Sequence, residues 1–402
     1  MYCTRKVTDG ITWIGGSDRR LALFENLFPI PRGVAYNSYL IQDEKTAVID
    51  TVDSSISRQF FENIHHELGD RKLDYLIVNH MEPDHCANIA ELLLRYPDMK
   101  LVGNAKTFCM IGQFYGFELK DEQKIVVKEG DSLSLGKHKL SFYFAPMVHW
   151  PEVMVAYEET EKVLFSADAF GSFGALNGNI FNDELDFDHD WLDDARRYYG
   201  NIVGKYGPQV QAALKKLSGL DIAVICPLHG PVWRSDLGYL LEKYDLWSRY
   251  EPEEKTVAIL YASMYGDTEN AANVLAAKLA EAGVKNIAMH DVSGTHVSEL
   301  ISEVFRCSHL VLAAPTYNNG IYPAMLNFLH DCRALNLQNR TIGLIENGTW
   351  GPVAAKQMKE ILDGLKNMNV LEPVVTVKSA LNEASMEQLE ALAGAVAASL
   401  AE

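Results

Sequence analysis

His80-Met81-Glu82-Pro83-Asp84-His85 places four potential metal ligands within six residues. The apolar run Leu76-Ile77-Val78 just before it reads as a buried strand, and helical periodicity follows over 87–94. The ligands therefore fall on a strand-to-helix loop, where side chains can converge on one point. Taken singly each has an ordinary explanation, and Asp84 could simply cap the helix that follows. Taken together, nitrogen and oxygen donors at alternating positions form a pincer, and Asp84 beside His85 adds a second donor set. One loop can then serve two adjacent metals.

Three positions further along repeat this placement. His149 follows an expected strand over 140–144 and precedes Trp150-Pro151. Asp168 follows Val163-Leu164-Phe165-Ser166, and His229 lies in Cys226-Pro227-Leu228-His229-Gly230, past a strand over 222–226. A lone histidine there is most often a satisfied loop residue. The recurrence at strand ends joins these three to the opening loop as candidate ligands. Around them the chain reads as a hairpin over 36–41 and 46–49, closed by Asp50, then an amphipathic helix over 57–68. Short strands are expected near 101–102, 124–127, 153–157 and 163–165, and helices over 191–206 and 208–217.

The charged, proline-bearing stretch Glu251-Pro252-Glu253-Glu254-Lys255 reads as a linker, which sets two domains, 1–251 and 252–402. Beyond it, strands over 257–261, 287–290, 310–314, 342–345 and 374–377 alternate with helices over 268–282, 297–305, 322–334, 352–365 and 386–400. That alternation implies a doubly wound, five-stranded parallel sheet. Ser263, Met264, Tyr265, Gly266, Asp267 and Thr268 lie between its first strand and first helix, where hydroxyls and backbone amides suit a phosphate monoester. The loop lacks both G-x-G-x-x-G and a P-loop lysine, which disfavours NAD and nucleoside triphosphates. Pro315, Thr316, Tyr317, Asn318, Asn319 and Gly320 follow the third strand, and Asn347, Gly348, Thr349 and Trp350 the fourth. Tyr317 and Trp350 could flank a planar ring, with Asn and Gly backbones at its polar edge.

The 402 residues are 48% hydrophobic, ample for two cores, and carry a net charge of −18, which repels nucleic acid. Cys3, Cys86, Cys109, Cys226, Cys307 and Cys332 are dispersed without a C-x-x-C pair. This speaks against a disulfide framework and a built-in rubredoxin-type iron site, and suits a reducing compartment. No signal-peptide run or membrane span is legible, so a cytoplasmic location without membrane attachment is expected.

Over roughly its first 250 residues the sequence resembles the metallo-β-lactamase superfamily, whose metal motif is His-x-His-x-Asp-His. Here Glu82 takes the second histidine's place. That variant, with His149, Asp168 and His229, is similar to the flavodiiron protein family, and the three later loops resemble those by which flavodoxins bind FMN. The resemblance implies an N-terminal αββα sandwich carrying two irons and a C-terminal flavodoxin-like domain carrying FMN. It implies one iron on His80, Glu82 and His149, the second on Asp84, His85 and His229, and Asp168 as the bridge. A hard carboxylate in place of an imidazole favours a metal stable in its trivalent state over zinc. Tyr198 and Glu25 are expected beside the metals, and family members often carry histidine at the position aligned with Glu25. The implied activity is reduction of O2 to water, of NO to N2O, or both. A separate rubredoxin-like protein or reduced deazaflavin would supply electrons. Head-to-tail homodimers, or dimers of them, would bring one subunit's FMN to the other's irons. The competing classes are a binuclear hydrolase with an accessory flavin domain, marked by zinc, and an electron carrier, marked by flavin without metal.

Overall fold

The computed structural model describes residues 2–117 and 119–401; Met1 and Glu402, the outer ends of the two expected domains, lie outside them, as does Glu118. The chain forms two compact units. One comprises the residues up to Tyr199 together with Pro208–Tyr244, the other Gly200–Gly207 together with the residues from Asp245 onward.

The first unit is built on two sheets. The seven-stranded sheet runs Arg5–Lys6, Ile11–Trp13, Tyr39–Gln42, Thr46–Ile49, Tyr75–Ile77, Lys100–Gly103, Lys124–Val126. Its pairings are antiparallel up to Thr46–Ile49 and parallel beyond. The five-stranded sheet runs Ser132–Ser134, Lys139–Phe144, Met154–Glu158, Val163–Phe165, Val224–Cys226. Alternate residues of each strand point inward. Tyr39, Ile49, Ile77 and Val102 of one sheet thus meet Phe142, Met154, Phe165 and Cys226 of the other in a single core. Helices cover the outer faces: Ser57–Leu68 buries Phe60, Phe61, Ile64 and Leu68 at helical spacing. The layers are those of an αββα sandwich.

Several elements differ from expectation. The run over 36–41 is split: Val34–Tyr36 pairs with Gly16–Asp18, and only Tyr39–Gln42 pairs with Thr46–Ile49. The split falls at Asn37, whose side-chain amide donates to the carbonyls of Pro227 and Gly230, both at 2.9 Å. Pro83–Cys86 is itself a helical turn, with proline at its start where a missing N–H costs nothing, so Asp84 and His85 sit on that turn. A second helix, Ile89–Arg95, follows. The helix expected over 191–206 ends at Tyr198, passes through a wider π-type turn over Tyr199–Val203, and a new helix begins at Gly207. The helix Ala105–Tyr115, with Asn104 capping the amides of Lys106 and Thr107, was not anticipated.

The second unit is a doubly wound sheet. Its strands lie in the order Ala288–Asp291, Glu254–Tyr261, Cys307–Tyr317, Arg340–Asn347 and then Met368–Val370 with Val375–Val377, all parallel. The fifth position is thus shared by two short strands. Asp267–Glu281 and Glu383–Ala401 cover one face, where Leu275, Leu279, Leu389 and Leu392 meet Val257, Ile259 and Val311. Val297–Arg306, Pro323–Ala334 and Ala354–Leu362 pack on the sheet's other face. Burial on both faces explains the continuous apolar runs of the strands.

Candidate functional site

Strand ends of both sheets deliver the seven candidate ligands of the first unit to one place. His80 and Glu82 follow Tyr75–Ile77, with Asp84 and His85 on the next turn. His149 lies on the hairpin between Lys139–Phe144 and Met154–Glu158, Asp168 just past Val163–Phe165, and His229 past Val224–Cys226. Donor atoms of His80, Glu82, His149 and Asp168 converge within 4.8 Å of one another, and those of Asp84, His85 and His229 form a second such set. Asp168 reaches both. Its Oδ2 lies 3.0 Å from His149 Nε2 and 3.4 Å from His80 Nε2, while Oδ1 lies 3.0 Å from His85 Nε2 and 3.7 Å from His229 Nε2. All seven side chains are buried.

This donor set fits a pair of cations. His149 Nε2 stands 3.0 Å from both Glu82 Oε2 and Asp168 Oδ2, and one imidazole N–H cannot serve two carboxylates. The Nε2 atoms of His85 and His229 face each other at 3.0 Å. Both oxygens of Asp84 and Oδ1 of Asp168 are buried without a hydrogen-bond donor. Burial opposes charge on the imidazoles, yet the field of Asp168 overrides it for His80 and raises its pKa well above the usual histidine range. His85 is raised too, chiefly by Asp84 and Asp168 against burial, and His149 rises to about 9. Burial likewise opposes ionisation of Glu82 and Asp168, and the surrounding imidazoles hold both well below ordinary carboxylates. Such a field favours cations, and metal ions would take the place of those protons.

The outer ring nitrogens are fixed by partners that sequence reasoning missed. His80 Nδ1 lies 2.8 Å from Glu152 Oε1, which also accepts from the Met81 amide. The signal was present: Glu152 stands three residues after His149, on the same hairpin. His229 Nδ1 lies 2.8 Å from the Ala35 carbonyl, a backbone partner that leaves no trace in sequence. Asn37 and the Tyr39 hydroxyl hold the Pro227 carbonyl, and so anchor the loop that carries His229. Asp50 Oδ1 accepts the amides of Asn79 and His80, and burial raises its carboxyl to about 7. Ala167, just before Asp168, takes φ 53°, a left-handed conformation that aims the aspartate.

Tyr198 and Glu25 both border the cluster. The Tyr198 ring lies 5.4 Å from that of His229, and its buried hydroxyl has no hydrogen-bond partner. Burial, then the carboxylates of Asp168, Glu82 and Asp84, push its pKa well above the usual value, so it keeps its proton. Glu25 sits on a tight turn with φ 51°. Much of its surface is open to solvent, but its carboxyl end is crowded against Glu82. Desolvation and that like charge raise it well above the carboxylate range.

In the second unit the three candidate loops meet around a cleft of about 440 Å³. Ser263, Met264, Tyr265, Asp267 and Thr268 line it from the first loop, Pro315, Thr316, Asn318 and Asn319 from the second, and Asn347, Gly348, Thr349 and Trp350 from the third. Gly266, Tyr317 and Gly320 do not. Gly266 caps the helix Asp267–Glu281 at φ 94°, and Tyr317 packs edge-on against Tyr322 at 5.9 Å. Ser379, which no motif flagged, lines the cleft and exchanges hydrogen bonds with Asn347 at 2.9 and 3.0 Å. The cleft joins the amino end of a 15-residue helix, where free amides favour a phosphate, to Trp350, an indole 83% exposed. A phosphorylated planar cofactor such as FMN fits these features.

Fold and site define a class: a sandwich in which two sets of metal-binding donors share one aspartate, followed by a doubly wound domain with a cleft suited to a phosphate and a planar ring. Comparison with known proteins gives the family. Residues 34–230 match the model described as ODP family beta lactamase, and residues 259–391 the flavodoxin model. A nitric oxide reductase of Moorella thermoacetica is 32% identical over 98% of each chain. The solved rubredoxin oxygen:oxidoreductase of Desulfovibrio gigas is 31% identical, with a TM-score of 0.92 over 99% of this chain and 98% of that one. The flavodiiron protein from Giardia intestinalis is 26% identical, with a TM-score of 0.91 over 99% and 97%. The chain belongs to the flavodiiron protein family.

Proposed function

We propose that this protein is an oxidoreductase that passes electrons from a donor through FMN to a non-haem diiron site, where O2 is reduced to water, NO to N2O, or both. The carrying observation is the division of seven buried ligands into two sets that share Asp168. On this reading 1–251 is the diiron domain and 252–402 the FMN domain. His80, Glu82 and His149 would hold one iron and Asp84, His85 and His229 the other, with Asp168 reaching both sets. When bound, the irons supply the redox chemistry toward the diatomic substrate and the flavin delivers electrons to them. The chain's own residues do the rest. Glu152 and the Ala35 carbonyl fix two of the imidazoles. Phe24 and Phe173 pack edge-on around Tyr198 at 6.4 and 5.2 Å and keep that flank dry, while the Tyr198 hydroxyl offers a proton. In the second unit Ser263, Thr268 and the helix amides take the phosphate, and Trp350 one face of the ring.

The electron donor is a separate rubredoxin-like protein or reduced deazaflavin, and the working form is a head-to-tail homodimer or an assembly of such dimers. Among the described residues no helix is long and apolar enough to cross a membrane, and the cytoplasm is the location proposed. Metal analysis with a visible flavin spectrum tests the reading, followed by anaerobic reduction and stopped-flow mixing with O2 and, separately, with NO. Two irons and one FMN per chain, with reoxidation by either gas, is the expected result. Zinc in place of iron would restore the hydrolase, and flavin without metal the electron carrier.

A further inference from the structure

The end of the five-stranded sheet away from His149 carries another buried polar cluster. His138 immediately precedes Lys139–Phe144, Glu158 ends the antiparallel partner Met154–Glu158, and Glu161 lies on the turn into Val163–Phe165. One donor atom from each lies within 4.8 Å of the other two. His138 is 3% exposed and Glu158 0%, whereas Glu161 reaches solvent.

Hydrogen bonding alone does not account for the arrangement. Glu158 accepts the amides of Lys139, Thr160 and Glu161 at 3.4, 2.9 and 2.6 Å, which fixes its carboxylate but brings no positive charge. The nearby lysines are committed elsewhere, Lys139 to Glu159 and Lys162 to Asp221. Among the described residues the only ion-pair partner of either carboxylate is His138. A carboxylate this buried is ordinarily paired with a charge or bound to a metal. His138 Nδ1 lies 3.1 Å from Glu158 Oε1 yet has no hydrogen-bond partner, so the ring nitrogen converges on the carboxylate off the line of an N–H bond. The ring is also fixed in place. Its backbone amide donates to Asp43 at 2.6 Å, and a Cβ on Gly10 would come within 2.3 Å of its Nε2. Glu161 accepts the hydroxyl of Thr8, on the same turn as Gly10.

We propose that His138, Glu158 and Glu161 form a third metal site, separate from the paired centre, that takes a divalent first-row cation, zinc foremost. One imidazole and two carboxylates are a donor set that zinc accepts, and the exposed side of Glu161 lets water complete the shell. Bonds of about 2.1 Å to a tetrahedral ion place donors roughly 3.4 Å apart, close to the 3.1 Å between His138 Nδ1 and Glu158 Oε1, with a Glu161 oxygen already within 4.8 Å of both sides. The ion would tie the start of Lys139–Phe144 to the turn between Met154–Glu158 and Val163–Phe165, where Glu161 also accepts the Thr8 hydroxyl. It would leave the reduction chemistry unchanged.

The test uses the holoenzyme with its iron and flavin in place. Wild type, Glu161→Gln and His138→Gln are dialysed against graded zinc chloride, and zinc, iron and flavin are counted in the same samples. The expected result is one zinc per wild-type chain beyond any that replaces iron. Affinity should fall about tenfold or more in both variants, as expected when a ligand is removed. Zinc should raise the urea midpoint of wild type but not of Glu161→Gln, the milder substitution. Equal zinc uptake by wild type and Glu161→Gln would overturn the site, as would no uptake with iron unchanged. Because iron and flavin are read alongside, failure here is distinguishable from failure of the diiron reading.

Discussion

Glu152 shows how much one carboxylate outside the ligand set can control. It receives His80 Nδ1 and the Met81 amide on the same oxygen, and so fixes both the tautomer and the rotation of a ligand ring. Burial opposes its ionisation, but the His80 ring keeps its pKa below the ordinary glutamate value. Glu152→Gln preserves shape and removes the anion. Iron retention against a competing chelator should fall roughly 10- to 100-fold, with flavin content unchanged. Retention equal to wild type would show that His80 needs no such partner. Tyr198 makes the opposite case, because its hydroxyl has no hydrogen bond to lose. Tyr198→Phe should leave the urea midpoint of the first unit within about 0.5 kcal/mol while turnover drops about tenfold or more. Unchanged turnover would remove Tyr198 from the proton path. The ligands were legible because imidazoles and carboxylates recur just past apolar strands. The Ala35 carbonyl was not, since backbone acceptors carry no residue signature, and Ser379 lacked any motif around it.

Elements were legible where periodicity ran unbroken and illegible where tertiary bonds interrupted it. The helix Ser57–Leu68 and the alternating strands and helices of the second unit follow their apolar pattern closely. The splits at Asn37 and Tyr199 do not, because the first depends on carbonyls some 190 residues away. Arg340, at the start of Arg340–Asn347, is a comparable case: it is 1% exposed and donates to the carbonyls of Val304, Phe305, Gln338, Asn339 and Tyr250. One guanidinium thus ties the segment near the expected linker to the sheet of the second unit. Arg340→Met strips those acceptors and should destabilise the second unit by about 3–5 kcal/mol, read as earlier release of fluorescent flavin in urea. A shift under about 1 kcal/mol would show that water replaces the fork.

The last turn of Val297–Arg306 predicts a pH dependence. Burial would raise Glu303, but the His290 ring at 3.6 Å and the Arg306 guanidinium at 2.7 Å hold it down at about 2, from an ordinary 4.5. A depressed carboxylate stabilises the fold above its unfolded pKa, and that stability disappears as pH falls through the folded one. The contribution is therefore complete above about pH 5, is lost progressively toward pH 2, and amounts to at most about 3 kcal/mol. Wild type should exceed Glu303→Gln in urea midpoint at pH 7, and the gap should narrow from pH 5 to pH 3. A constant gap would mean that packing, not charge, underlies it.

At the scale of the whole molecule the question is which flavin serves which irons. Each unit, at around 150–250 residues, spans on the order of 30–40 Å, so which flavin reaches which irons depends on the assembly. The proposed head-to-tail dimer would pair one subunit's cleft with the other's metal centre. The arrangement makes a prediction that activity of a single variant cannot. One chain carries His229→Ala and Asp84→Ala, which cripple a metal set. The other carries Trp350→Ala and Thr268→Val, which cripple the cleft. Each alone should be inactive. Mixed in equal amounts, unfolded and reassembled together, half the dimers are mixed, and each mixed dimer contains one intact flavin facing one intact iron pair across the interface. Recovery should approach roughly a quarter of wild-type turnover. If transfer runs within a single chain, no mixed dimer contains a working pair and the mixture stays inactive, although metal and flavin analyses still find both cofactors present.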